Sequence, residues 1–180
     1  ARGDTVVDVG CGTGATLPYL RERVGRGGRV VGVDFAPGAV ARARARVERA
    51  GWTNVTVRRG DATRLPLDGA DAVAASFLMG MLPDPAATVE GWLDALGPTR
   101  IALLDLARSH RRPGRSLNPL FRVVVRASAP PGTAEHHGES PARVLDRRVA
   151  AAHRTVLKRC TGTTHATRAG GFAYLSAGRR

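Results

Sequence analysis

Lysine is nearly missing from this chain. Lys158 is the only one, and the rest of the 28 basic residues are arginines. Against 15 acidic residues they leave a formal charge of +13, which points to an acidic partner, either nucleic acid or an anionic membrane surface. The same surplus fits a solvated arginine surface and a coding bias, because the charges are spread along the chain rather than gathered in one block. Aromatic residues are scarce at 4% and offer few platforms for stacking bases. The two cysteines, Cys11 and Cys160, give neither a disulfide framework nor metal-ligand spacing, so no metal site is expected. No apolar run approaches the ~18 residues of a membrane span, and no signal-like stretch stands ahead of the first β-branched run. A cytoplasmic, reducing compartment is the expectation.

What is present is a 180-residue chain with 43% hydrophobic residues, enough for one domain with a substantial core. Its organising stretch is Val6-Val7-Asp8-Val9-Gly10-Cys11-Gly12-Thr13-Gly14. A β-branched run reads as a buried strand, and glycines on alternate positions then break it ahead of a helix over 15–23. A strand feeding a glycine loop that opens a helix is a cofactor cradle, because the backbone can approach a ligand closely and the helix start offers free N–H groups. The spacing is G-x-G-x-G rather than G-x-G-x-x-G, which disfavours a dinucleotide and hence an oxidoreductase.

With its acid Asp8 inside the strand, D-V-G-C-G-T-G resembles the first motif of class I S-adenosylmethionine-dependent methyltransferases. The resemblance implies a Rossmann-like α/β fold: a doubly wound sheet of seven strands, an antiparallel C-terminal strand pair and helices on both faces. It implies S-adenosylmethionine as cofactor, cradled by Asp8, Gly10, Cys11, Gly12 and Gly14, with the Cys11 side chain packing as a small residue. Relatives carry helices ahead of the first strand that cover the site. This chain opens only a few residues before it, so those cover helices are expected to be missing.

Later segments supply the remaining motifs in order. A second strand over 29–34 ends on Asp34, about where an α/β nucleotide-binding unit places its ribose carboxylate. Its two acceptor oxygens can hold both ribose hydroxyls and repel a 2′-phosphate. By resemblance Phe35 lies near the adenine. Pro37 opens a helix with Val40, Ala43, Val47 and Ala50 on one face, and Gly51 ends it. After a third strand over 54–58, Gly60-Asp61-Ala62 resembles the family's adenine-binding motif, with Asp61 taking the amino group and the Ala62 N–H meeting the ring.

The fourth strand, 71–77, leads into Leu78-Met79-Gly80-Met81-Leu82-Pro83-Asp84-Pro85, which resembles the small-molecule branch of the family. There a backbone carbonyl, here near Ser76, receives the ammonium of the cofactor. Many relatives have histidine where Gly80 and Met81 stand, so the rim reads as soft and apolar, with Met79 and Met81 as rim or as core. The Asn/Asp-Pro-Pro-Tyr/Phe motif of amino-group methylation in DNA and protein is missing. Asp84 caps a helix with Val89, Trp92, Leu93 and Leu96 on its apolar face, and a fifth strand spans 101–106.

Residues 107–141 read as an acceptor-side insertion or lid. Leu117, Leu120, Phe121, Val124 and Val125 make an apolar helical stripe that packs on the sheet, covers an acceptor or rests on a lipid surface. Residues 129–139 are Pro/Gly-rich and carry His136 and His137. Ser140-Pro141 opens a helix to about residue 158 with Leu145, Val149, Ala152 and Val156 inward, and strands over 161–167 and 172–177 complete the sheet.

In-line methyl transfer asks mainly for alignment and exclusion of water. His110, after the fifth strand on the cofactor side, is the candidate proton acceptor. His153 in a helix and His165 in a strand read as structural. The function implied is methylation of a small-molecule acceptor, hydrophobic or aromatic. The alternatives are an RNA methyltransferase, motivated by the charge, and a non-catalytic cofactor-binding domain. The oligomeric state is left open.

Overall fold

In the computed structural model, residues 1–65, 69–97, 100–128 and 140–180 are described. Strands β1 (Thr5–Val9), β2 (Arg29–Asp34), β3 (Val55–Arg59), β4 (Ala72–Ser76), β5 (Arg100–Leu106), β6 (Thr161–Arg168) and β7 (Ala173–Arg179) form one sheet. Its order is β3-β2-β1-β4-β5-β7-β6, parallel from β3 through β5. β7 runs antiparallel to both β5 and β6. The strand order reverses between β1 and β4, so the crevice outside their carboxyl ends is where an open α/β sheet holds a ligand.

Helices α1 (Leu17–Val24) and α2 (Pro37–Arg49) cover one face, while α3 (Pro85–Leu96) and α5 (Pro141–Arg159) cover the other. Strand alternation sorts the side chains. Val6 and Val30 join Leu17, Val24, Val40 and Ala43 on the first face. Val7, Val9, Val31, Val33, Ile101 and Leu103 meet Val89, Trp92, Leu93 and Val156 on the second. Each of the valine, leucine and isoleucine side chains among them contributes about 1.5–3 kcal/mol by leaving water.

Local chemistry fixes the helix ends. Proline stands in the first turn of α1, α2, α3 and α5, where its missing N–H costs nothing. The Asp84 side chain accepts from Ala87 N–H at 3.0 Å and caps α3. Ser140 precedes α5 without a side-chain cap, its carbonyl alone accepting from the first turn. α1 begins at Leu17, two residues later than its sequence suggests, because the Thr16 hydroxyl turns back to Asp8.

After β5 the chain forms a short 3₁₀ turn, Gly114–Leu117, and then α4 (Asn118–Ser128). Asn118 ties this unit to the sheet end, accepting from Ser109 N–H and donating to Ser109 O, both at 2.9 Å. Phe121 packs on Phe172 with ring centroids 5.2 Å apart. The stripe anticipated for this helix divides. Phe121 and Val125 face inward, whereas Leu117, Leu120 and Val124 are exposed, as is Val123 outside that stripe. The reading that it simply packs on the sheet holds only for the inward pair. His136 and His137 lie outside the described residues.

Candidate active site

The first three strands bring their motifs to one place through backbone hydrogen bonds. Gly10 and Cys11 N–H both donate to Val33 O, at 2.8 and 3.1 Å. Gly12 N–H donates to Asp34 Oδ2 at 2.8 Å, and Ala36 N–H to Asp34 Oδ1 at 2.9 Å. Gly60 N–H donates to Asp34 O at 3.0 Å, which seats the Gly60-Asp61-Ala62 turn beside the second strand's end. Asp34 is thus the hinge of the cradle, each of its carboxylate oxygens keeping acceptor capacity beyond the N–H it already holds.

Gly10, Gly12 and Gly14 run at φ of +71°, +55° and +81°. At Gly14 a side chain is excluded twice over, since a Cβ would also lie 2.8 Å from Leu17 Cδ1 and 3.3 Å from Ala43. A Cβ on Gly12 would meet no atom within 4 Å. The loop is therefore open on that side, as a cradle for a nucleoside must be.

Asp8 does not face this opening. It is buried beneath the loop and accepts from the Thr16 hydroxyl. Burial pushes its pKa from 3.8 up to about 6, the Thr16 hydroxyl pulls the other way, and the Asp34 charge adds a smaller rise. An acid whose pKa is higher when folded contributes stability below its unfolded value that is lost as pH rises through the folded one. The loss here is about 3 kcal/mol between pH ~4 and ~7. Asp8→Asn keeps an acceptor for Thr16 and has no charge to bury. Urea denaturation is expected to find it about 2–3 kcal/mol more stable than the parent at pH ~8, with most of that gap gone at pH ~4. A gap that does not change with pH would exclude burial of the charge as its source. Cys11, packed under the same loop, has its thiol pushed up to about 12 by burial first and by Asp8 and Asp34 second, so it stays protonated.

Asp61 is exposed, and its Oδ1 accepts from Thr63 N–H at 2.8 Å and the Thr63 hydroxyl at 2.9 Å. The backbone bond, then the hydroxyl, holds its carboxyl below the usual range. Ala62 is fixed through its carbonyl, which accepts from Trp92 Nε1 at 2.7 Å. Phe35 is 68% exposed, with the Arg59 guanidinium 5.7 Å from its ring centroid.

Across the switch point, β4 ends at Ser76, and Phe77 takes φ +58°, a conformation that side chains rarely adopt. Met79–Met81 is a 3₁₀ turn that sends its two methionines apart, Met79 into the core and Met81 to 71% exposure. Met79 is therefore core and Met81 rim. Leu78 reaches the cradle, where a Cβ on Gly10 would lie 3.0 Å from its Cδ1.

Sequence reasoning missed what holds this turn. Met79 N–H donates to Asp105 Oδ1 at 3.1 Å, and Arg148 Nη1 donates to Gly80 O at 3.1 Å. Asp105 Oδ2 pairs with His153 Nε2 at 3.2 Å, His153 Nδ1 with Ser176 Oγ at 2.8 Å, and Ser176 Oγ with His165 Nδ1 at 2.9 Å. Asp105, His153 and Ser176 are all buried. A signal was present: Asp105 shares an inward strand face with Ile101 and Leu103, and His153 shares the apolar helix face of Val149, Ala152 and Val156. His110 stands exposed after β5, outside this network, and its buried neighbour Ser109 donates to Gly170 O at 2.7 Å. Among the described residues no group of His, Cys, Asp or Glu could hold a metal ion.

A glycine loop at the switch point of a doubly wound sheet, with an acid at the end of the next strand, defines the class of α/β domains that hold nucleoside cofactors outside their strand ends. The chain belongs to the methyltransferase domain family, whose model matches residues 6–99. It is 37% identical over 139 residues to nocamycin O-methyltransferase of Saccharothrix syringae, covering 75% of this chain and 50% of that one. Over 92 residues it is 41% identical to phosphatidylethanolamine N-methyltransferase of Cereibacter sphaeroides, covering 49% and 43%. The chain thus spans about half the length of these relatives. A SAM-dependent methyltransferase from Aquifex aeolicus shares its fold, with a TM-score of 0.67 at 22% identity over 98% of this chain and 82% of that one.

Proposed function

We propose that this chain is a single domain that binds S-adenosylmethionine and transfers its methyl group to a small-molecule acceptor of apolar or aromatic character. The observation that carries the reading is the meeting of Gly12 N–H with Asp34 Oδ2 at 2.8 Å beside an open loop face. In this reading the backbone of Gly10, Cys11, Gly12 and Gly14 holds the cofactor, and Asp34 takes the ribose hydroxyls. Phe35, Asp61 and Ala62 hold the adenine, and the carbonyl near Ser76 takes the ammonium. Asp8 acts from beneath, keeping the loop in place through Thr16.

The cofactor supplies a methyl carbon on a sulfonium. With the cofactor bound, the site would align the acceptor's lone pair with that carbon, the carbon–sulfur bond would break toward the neutral thioether, and the acceptor's proton would pass to a base or to water. The protein's part is to align the two and exclude water. In this reading His110, exposed after β5, accepts the proton, and residues 107–141 are assigned to the acceptor side. Met81, Phe77 and Leu106 are exposed and follow or end β4 and β5, which gives the rim an apolar character. The nocamycin and phosphatidylethanolamine enzymes carry different acceptor atoms in their names, so the relatives support small-molecule methylation and leave O or N open.

Calorimetric titration with S-adenosylhomocysteine and, separately, NADH tests the cofactor, and methyl-transfer assays on aromatic and on polar amine acceptors test the substrate class. Micromolar binding of S-adenosylhomocysteine with NADH silent is expected, together with turnover of aromatic acceptors. Binding with no turnover would make the chain a non-catalytic cofactor-binding domain, and turnover confined to polar amines would overturn the apolar acceptor.

A further inference from the structure

Between Asp105 and Glu135 the chain holds six arginines, at positions 108, 111, 112, 115, 122 and 126, and no acidic residue. Charge that looked evenly spread along the whole sequence is therefore one-signed here. Arg108 pairs with Asp146 of α5. Among the described residues no carboxylate pairs with Arg111, Arg112, Arg115 or Arg122. The same segment carries the exposed aliphatic face of α4 and the end of the turn before it: Leu120 and Val123 are 63% and 64% exposed, and Val124 and the turn's Leu117 are 54%. Phe121 and Asn118 anchor the helix from its other side, so this outward face is not needed for packing. An apolar face of that kind, flanked by unpaired cations, is unusual on a surface that meets only water.

We propose that α4 and the arginine loop before it dock on an anionic lipid bilayer, with Leu117, Leu120, Val123 and Val124 entering the acyl boundary and the arginines at the phosphates. An amphipathic helix with basic residues binds such a surface by both terms at once. A second copy of the chain fits poorly, because self-association would set two arginine clusters against each other. RNA fits poorly too, since the exposed side chains are aliphatic and the one aromatic of α4, Phe121, is turned onto Phe172. The placement adds a consequence. α4 follows β5, and Phe77 and Met81 follow the parallel strand β4, so docking lies at the carboxyl edge of the sheet.

Vesicle co-sedimentation tests this with phosphatidylcholine alone and with about 30 mol% phosphatidylglycerol, at about 0.1 and 0.5 M salt. The full chain is expected to bind only the phosphatidylglycerol vesicles, and to release steeply at the higher salt. Leu120→Glu/Val124→Glu is expected to weaken binding at least about tenfold, and Arg115→Glu/Arg122→Glu at least about 25-fold. Both doubles alter exposed positions and should melt as the parent does. As a variant that keeps the apolar face, Leu120→Trp is expected to shift its emission to the blue on phosphatidylglycerol vesicles. No vesicle binding, no blue shift, or binding lost in the arginine double but kept in the aliphatic one would overturn docking. So would binding to a single-stranded RNA oligonucleotide with none to vesicles. S-adenosylhomocysteine titration of the same protein keeps the two readings apart: cofactor binding without vesicle binding sinks only the docking, and the reverse sinks only the cofactor site.

Discussion

Asp34→Ala is expected to weaken S-adenosylhomocysteine binding by roughly 150-fold or more. In the proposed cofactor site the carboxylate would offer an acceptor to each ribose hydroxyl, and two charge-assisted hydrogen bonds at about 1.5 kcal/mol each amount to about 3 kcal/mol. The substitution also frees the N–H groups of Gly12 and Ala36, which now donate to Oδ2 and Oδ1. Both effects act on the ligand rather than on the core, because Asp34 lies at the half-buried end of β2. The variant should therefore stay folded while its affinity collapses. Asp34→Asn separates the contributions: it keeps one acceptor oxygen, replaces the other with a donor, and is expected to lose about tenfold. Calorimetry on the three proteins at one temperature is the measurement. An alanine variant that binds within about threefold of the parent would remove Asp34 from the ribose site.

The strands and the glycine loop were legible in the sequence because the local rules and the fold agree there. β1 is a β-branched run ended by glycine, and Arg29–Asp34 matches its expected bounds. Two boundaries moved for local reasons. The third strand starts at Val55 rather than Asn54 because the Asn54 amide donates to Gly25 O and Gly28 O, both at 2.9 Å. The fourth ends at Ser76 because Phe77 turns to positive φ. Asp8 carried a signal for the motif but not for its direction, and strand alternation with Val6 is what turns it under the loop toward Thr16. The network around Asp105 joins residues 48 and 23 positions apart, a distance at which periodicity gives the inward face but not the partner. The division of α4 into an anchored and an exposed side depends on Asn118 and Phe121 finding Ser109 and Phe172, contacts no pattern within the helix contains.

Asp105→Ala should be the most destabilising of the substitutions considered, and Asp105→Asn nearly harmless. The carboxylate is buried and accepts at both oxygens, from Met79 N–H and from His153 Nε2. With Nε2 donating, His153 Nδ1 is free to accept the Ser176 hydroxyl proton, and Ser176 Oγ accepts in turn from His165 Nδ1. Alanine leaves the Met79 N–H and the imidazole N–H without acceptors inside the core. Two buried donors left without acceptors at about 1–3 kcal/mol each amount to a cost of about 2–6 kcal/mol. For a domain of this size the expected fall in melting temperature is about 10–15 °C. Asparagine can keep its oxygen on Met79 N–H and present its NH₂ to Nε2. The imidazole then switches tautomer, Nδ1–H donates to Ser176 Oγ, and the hydroxyl donates on to His165. Every bond of the chain survives with its direction reversed, so the expected cost is about 1 kcal/mol or less. Thermal denaturation of the two variants measures the costs, and the ¹⁵N shifts of the His153 ring report the tautomer. If asparagine destabilised as much as alanine, the network could not be a reversible chain of hydrogen bonds, and a fixed charge on Asp105 would have to be holding the turn at Met79.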